Sequence, residues 1–170
     1  VDLSEEFGMQ DGRIFYYDEK KNWWSRSGVP ANMPPGEPGG PDSEMFYDFG
    51  ADKRLHETSA FKDQPCHVNC DCGRFLEIGN SVFMQYQKLP DGSFKELSQK
   101  NVDFGGGFER ILAVKQDTDD VFLTPLFTPL IEFLETLSGQ KYTQEATKRS
   151  FRVIADHMRA AVMLASDGVY

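Results

Sequence analysis

No apolar run in this sequence approaches the roughly 20 residues that a membrane-spanning helix needs, so no membrane partner is expected. Cysteine is scarce: Cys66, Cys70 and Cys72 are the only three, all inside "CHVNCDCG". An odd count crowded into one short stretch does not make a disulfide framework and fits a reducing compartment. Basic charge is also short, with 18 Lys and Arg against 27 Asp and Glu, a net charge of −9. A general nucleic-acid binder would carry a basic face, so that class is disfavoured. One local exception is "KRSFRVIADHMRAA", where Lys148, Arg149, Arg152 and Arg159 face a single acid, Asp156. Such a helix is either an RNA contact or a solvated face. Internal repeats are lacking too, so solenoid architectures drop out.

What is present is an ordinary globular balance with 14 phenylalanines, which predicts an aromatic-rich core. "RIFYY" at 13–17 is β-prone and reads as a strand. The stretch "VPANMPPGEPGGPDSE" is dense in Pro and Gly and reads as a long loop. "EMFYDF" follows as a short strand. "RFLEIGNSVFMQYQK", 74–88, is the longest strand candidate. Alternation puts Ile78, Asn80, Val82, Met84 and Tyr86 on one face and Glu77, Gly79, Ser81, Phe83 and Gln85 on the other. Asp91-Gly92 signals a hairpin turn, and "FKELSQKNVDF" returns as two strand pieces. The period then changes to helical: 107–116, a helix opening at Thr124-Pro125 and stopped by Gly139, and a third over 144–166. Leu126, Leu130, Ile131, Leu134 and Leu137 would form one apolar stripe, and Phe151, Ile154, Met158 and Val162 would point inward. Strands first and helices afterwards predict an α+β fold.

"VDFGGGFERI" carries the chemistry. A strand ending in Asp103, a glycine passage and a helix from Phe108 leave open space above the backbone, since no Cβ intervenes. Helix-start N–H groups favour an anion there. Arg110 can fork onto phosphate oxygens, and Asp103 can hold an ammonium. The pattern suits a substrate with one amine and one polyphosphate; the alternative for Asp103 is a cap on the turn. For Cys66, Cys70 and Cys72, with His67 adjacent and His56 upstream, two readings stand: a zinc site, or reduced thiols in a turn.

The same motif resembles motif 3 of the class II aminoacyl-tRNA synthetases, a Gly-x-Gly-hydrophobic-Glu-Arg pattern, and specifically its alanine branch. Five further blocks resemble that branch in order: "KNWW", "GGPDSEMFYD", "EIGNSVFMQY", "DTDDVFLTPL" and "RVIADHMRAAVMLASDGV". Departures are Phe104, Gly106 and Phe108 for the usual Thr, Met and Leu, Gly79 for a usual Trp, Ser81 for Leu or Ile, and Asp42 for a Cys.

The resemblance implies an incomplete antiparallel catalytic sheet followed by helices. Residues 1–116 would be the later part of the aminoacylation core, and 117–170 the start of a helical tRNA-recognition region. It implies a cytoplasmic ligase that uses ATP and Mg²⁺ to join alanine to the acceptor end of its tRNA. Asp103 would bind the ammonium, Trp24 would wall the alanine pocket, and Val82 would limit its depth. Asn80 would orient the carboxylate or adenylate. Arg110 would hold ATP, with Gly105 and Gly107 under the nucleotide and Glu77 contributing to Mg²⁺. Strand parity sends Glu77 away from Asn80 unless a bulge intervenes. His157 reads as structural. Motifs 1 and 2 are not found, so the chain reads as an excerpt expected to be inactive alone. The competing reading is a non-catalytic synthetase-derived module that binds tRNA or protein.

Overall fold

The computed structural model describes residues 13–169. The chain is α+β and separates into two compact units, Val1–Ile111 and Leu112–Tyr170. No helix among the described residues is long and apolar enough to cross a membrane.

The first unit is built on a four-stranded antiparallel sheet in sequence order. Its strands are β1 (Trp23–Ser25), β2 (Pro38–Asp48), β3 (Phe75–Lys88) and β4 (Phe94–Gly106). Asp91 shapes the β3–β4 turn by accepting from the Ser93 N–H at 2.9 Å, as Asp-Gly predicts. β4 is one continuous strand rather than two pieces. Residues 13–17 are not a strand; the segment is anchored instead by the Tyr17 N–H donating to Asn22 Oδ1 at 3.0 Å.

The Pro-rich loop is shorter than expected, because β2 begins at Pro38 and lies between β1 and β3. A central strand tolerates its prolines only where the ladder does not need their N–H. Pro38 is the first residue of the strand, and Pro41 falls inside a register shift between Gly39 and Asp42. Gly40 is required there for another reason: a Cβ on it would sit 1.8 Å from the Phe83 carbonyl oxygen. A second register shift, where Met45 faces Gly79 but Phe46 faces Glu77, leaves Ile78 as an extra residue on β3. That bulge reverses the side-chain parity of everything N-terminal to it.

Between β2 and β3 a short helix α1 (Leu55–Thr58) interrupts the polar stretch before the cysteines, and α2 (Phe108–Lys115) follows the glycines. The second unit holds α3 (Thr128–Ser138) and α4 (Glu145–Ser166). The Thr-Pro signal occurs twice, and the later pair, Thr128-Pro129, opens α3. Thr124 is fully buried and closes a 3₁₀ turn, its hydroxyl donating to the Val121 carbonyl at 2.7 Å. Gly139 ends α3 in the left-handed region at φ 68°, where glycine has no steric penalty.

The core of this unit is Phe127, Ile131, Tyr142, Phe151 and Ala155, with Leu130 and Leu134 against it. Leu126, Leu137, Ile154, Met158 and Val162 are exposed, contrary to the expected stripes. Burial on α4 is confined to its first three turns, so periodicity alone overstates the buried face.

Buried Asp120 binds that core together. It accepts from the Tyr142 hydroxyl at 2.7 Å and from Arg152 Nη2 at 2.7 Å, and Lys148 Nζ is 3.6 Å away. Burial opposes its charge, but Tyr142 and Arg152 outweigh that and hold the carboxyl below its ordinary range. Two of the four basic residues of the last helix are therefore committed inside the unit. His157 is exposed and its Nδ1 bonds the Val153 carbonyl at 2.7 Å, the structural role expected of it.

Two departures from the synthetase pattern meet on one face of the sheet. A Cβ on Gly79 would lie 3.1 Å from two ring carbons of Phe104 and 2.9 Å from the Met45 methyl. The Phe104 ring thus occupies the space a larger residue at 79 would need. Gly79→Trp should cost about 1–3 kcal/mol, and adding Phe104→Thr should recover most of it. Denaturant unfolding of both singles and the double tests this; additive losses would show that the two positions do not compete for one volume.

Candidate active site

In an antiparallel ladder, directly paired residues share a face and alternate residues return to it. Asp42 pairs with Val82, which pairs with Asp103; Glu44 pairs with Asn80, which pairs with Gly105. Trp24 pairs with Gly40, two residues before Asp42. One face therefore carries Trp24, Asn80, Val82, Asp103 and Gly105, all five expected around the amino-acid pocket. Asp42 and Glu44 join them. Val82 is 7% exposed and floors the site, while Asp103 is open to solvent. Asp42 and Asp103 stand two strand spacings apart, roughly 9.6 Å between backbones.

The polar groups on this floor are incompletely satisfied. Asn80 Nδ2 donates to Asp42 Oδ2 at 2.9 Å. A carboxylate cannot donate back, so this bond fixes the amide orientation. It leaves Asn80 Oδ1 and Asp42 Oδ1, both buried, without a hydrogen-bond partner. Two neighbouring acceptors without a donor are a costly arrangement that an N–H-rich cation would relieve. Asp103 Oδ1 accepts from the Phe104 N–H at 2.9 Å, so the capping alternative is also present in the geometry.

The Ile78 bulge supplies the exception that parity required. Glu77 is brought to the Asn80 face, where its charge acts on both Asp42 and Glu44. Arg110 Nη1 reaches Glu77 from α2, 2.8 Å from Oε2 and 3.1 Å from the carbonyl oxygen. Both groups are partly solvated, so the pair adds orientation more than stability. Gly105 has nothing within 4 Å of where a Cβ would stand, as a backbone platform demands. Gly107 does something else: a Cβ there would meet the Arg110 side chain at 3.1 Å, so this glycine makes room for the arginine stem.

Along the same face toward Asp48, a cavity of about 1030 Å³ is lined by Tyr16, Asn22, Asp42, Glu44, Asp48 and Arg74 among others. Arg74 closes on Asp48 through two bonds, at 2.7 and 2.8 Å, and that pairing holds the Asp48 carboxyl below its usual range. Asp42 and Glu44 are the site residues that sequence reasoning missed. Their signal was present as acids at alternate positions of "PDSEMFYD", but its first residues read as loop until their pairing with β3 is known.

Of the proposed thiol ligands, Cys70 and Cys72 lie together with buried His56, ligand atoms within 4.8 Å of one another. Cys66 is not in that group. His67 is also elsewhere, its Nδ1 3.1 Å from the Tyr17 hydroxyl.

Comparison with known proteins gives one consistent result. Residues 2–170 match the family model described as tRNA synthetases class II (A). The chain is 40% identical over 164 residues to alanine–tRNA ligase of Treponema denticola, covering 96% of this chain and 25% of that protein. It is 37% identical over 164 residues to the Borrelia hermsii enzyme of the same name, with the same coverage. Against the Lawsonia intracellularis enzyme it is 39% identical over 163 residues, 95% of this chain and 17% of the other. The chain thus spans about a quarter or less of the length of these relatives.

The crowded acids make a test independent of any relative. Burial first, then repulsion from Glu77 and Asp42, pushes Glu44 up to about 7 from 4.5. An acid with a raised folded pKa favours folding while protonated, so its contribution falls as pH rises from 4.5 to about 7. Glu44→Gln should therefore raise the melting temperature at pH 8 and change it little near pH 4. Calorimetry at the two pH values checks this; an equal shift at both would show that Glu44 feels no such field.

Proposed function

The chain belongs to the class II (A) tRNA synthetases, and from that premise we propose that the protein carrying it activates alanine with ATP and transfers it to tRNA. The first step forms a bond from the alanine carboxylate oxygen to the α-phosphorus of ATP and expels pyrophosphate. The second moves the alanyl group to the 3′ end of tRNA. Little acid–base chemistry is needed; the protein positions reactants and stabilises charge.

The observation that carries this reading is the pair of orphaned buried oxygens on Asp42 and Asn80, beside Asp103 and above Val82. An α-ammonium offers three N–H donors to this acidic floor. In this proposal Asp103 and the orphaned oxygens hold the ammonium. Val82 and Trp24 bound a methyl-sized space, and Asn80 orients the reacting end. Gly105 leaves the nucleotide an open backbone to lie on. Arg110 spends Nη1 on Glu77, and its other nitrogens have no hydrogen-bond partner among the described residues. They are the donors assigned to ATP phosphate oxygens. Oxygen ligands from Glu77, with Glu44 within its field, suit Mg²⁺, which would supply positive charge against the polyphosphate. Residues 112–170 are proposed to lead toward the tRNA-recognition part of the longer protein.

Alanine-dependent ATP–pyrophosphate exchange on the full-length protein is the test. Asp103→Ala should lower kcat/KM for alanine by roughly ten- to a hundredfold, the value of a charge-assisted contact, with ATP affinity less affected. Wild-type protein silent with every amino acid would sink the enzyme reading and favour a non-catalytic binding module.

A further inference from the structure

The segment between β2 and β3 is held by a few hydrogen bonds rather than by regular structure. From Gly50 to Gly73 it contains one four-residue helix, α1, and no strand. Its buried residues among those described are His56, Cys70 and Cys72, two thiols and an imidazole where a loop of this length would ordinarily need aliphatic packing.

The imidazole is already set for a ligand. His56 Nε2 is 3.0 Å from the Gln64 carbonyl oxygen, which can only accept, so the proton is on Nε2. Nδ1 therefore presents its lone pair, and it faces Cys70 Sγ at 3.6 Å. A histidine ligand tied to a carbonyl through its other nitrogen is the usual outer support of a metal site. The spacing decides further. Sulfur at about 2.3 Å and nitrogen at about 2.05 Å, set at the tetrahedral angle, lie about 3.6 Å apart. Nδ1 and Sγ stand at that separation, with Cys72 completing a group whose ligand atoms all lie within 4.8 Å.

We propose that His56 Nδ1, Cys70 Sγ and Cys72 Sγ bind one structural Zn²⁺ that staples this segment. Soft thiolates with imidazole select zinc over the hard cations suited to the acidic face. Binding releases the two thiol protons and gives a neutral centre from one dication and two thiolates. The fourth position is filled from solvent, because Cys66 lies outside the group of ligand atoms. The staple reaches the cavity directly. Val68 and Asn69, between Cys66 and Cys70, line its wall, and Cys70 N–H donates to the His67 carbonyl at 2.8 Å. The site fixes a wall of the proposed active site without taking part in its chemistry.

The test is metal analysis of the full-length protein purified without chelator, with Cys72→Ser and Cys66→Ser beside it. Read as a difference, Cys72→Ser should lose one equivalent of zinc, so any other metal centre of the longer protein cancels. Cys66→Ser should retain it. Wild-type protein reconstituted with Co²⁺ should show thiolate-to-cobalt charge-transfer absorption, a readout that needs no variant to fold. Equal zinc in wild type and Cys72→Ser, or a cobalt spectrum without that band, overturns the site. Loss of zinc in Cys66→Ser overturns the three-ligand assignment. None of these readouts depends on exchange activity, so the site and the enzymatic reading fail separately.

Discussion

The first unit depends on strand parity and on the one place where it is broken. β3 runs between β2 and β4, so each residue it turns toward the acidic face is matched by a residue from both neighbours. Regular alternation would deliver Asn80 and Val82 but send Glu77 to the opposite side. The extra residue at Ile78 resets the alternation. Glu77 then comes round to the acids of β2 and within reach of Arg110 from α2. A bulge costs ladder hydrogen bonds and is kept where it re-aims a side chain. Here it brings Glu77 and its Arg110 partner onto the face that carries Asp42, Asn80 and Asp103.

Asp42, Glu44, Glu77 and Asp103 converge around a buried valine, and Arg110 pairs directly with Glu77. Burial and mutual repulsion raise Asp42 and Glu44 above their ordinary values. A cationic amine or a divalent ion would oppose both effects, which is how preorganised electrostatics favours a charged ligand.

Much of this was legible from residue order. The period-2 run of β3, the Asp-Gly turn, the glycine passage before α2 and the Gly139 stop each use a strong local signal. Alternation put Asn80 beside Val82, and the resemblance named Trp24, Asp103 and Gly105; that the five share a face comes from the strand pairing. What escaped notice depended on partners. The start of β2, 38–43, reads as loop because its prolines are tolerated only at a strand start and a register shift, and neither is visible without β1 and β3. Asp42 was hidden with it, and Glu44 sat where that loop meets the "EMFYDF" strand. Exposed Ile154, Met158 and Val162 show the same limit from the other side: helical periodicity marks an apolar face, but not how far along the helix that face is covered. His56 joined two of the cysteines because folding, not spacing, selects ligands.

The exchange of bulk between positions 79 and 104 carries an evolutionary consequence. Read column by column, Gly79 and Phe104 look like two separate losses from the family pattern. In space they are one event, because the ring of Phe104 fills what a large residue at 79 would fill. The two orders of arriving here are not equivalent. Gaining the ring first would force two large groups into one volume. Losing the bulk first leaves only a recess on a face that water reaches, since Phe104 itself is 58% exposed. Bulk at position 79 and a ring at position 104 are therefore alternatives: with Phe104 in place, a side chain at 79 has to displace it.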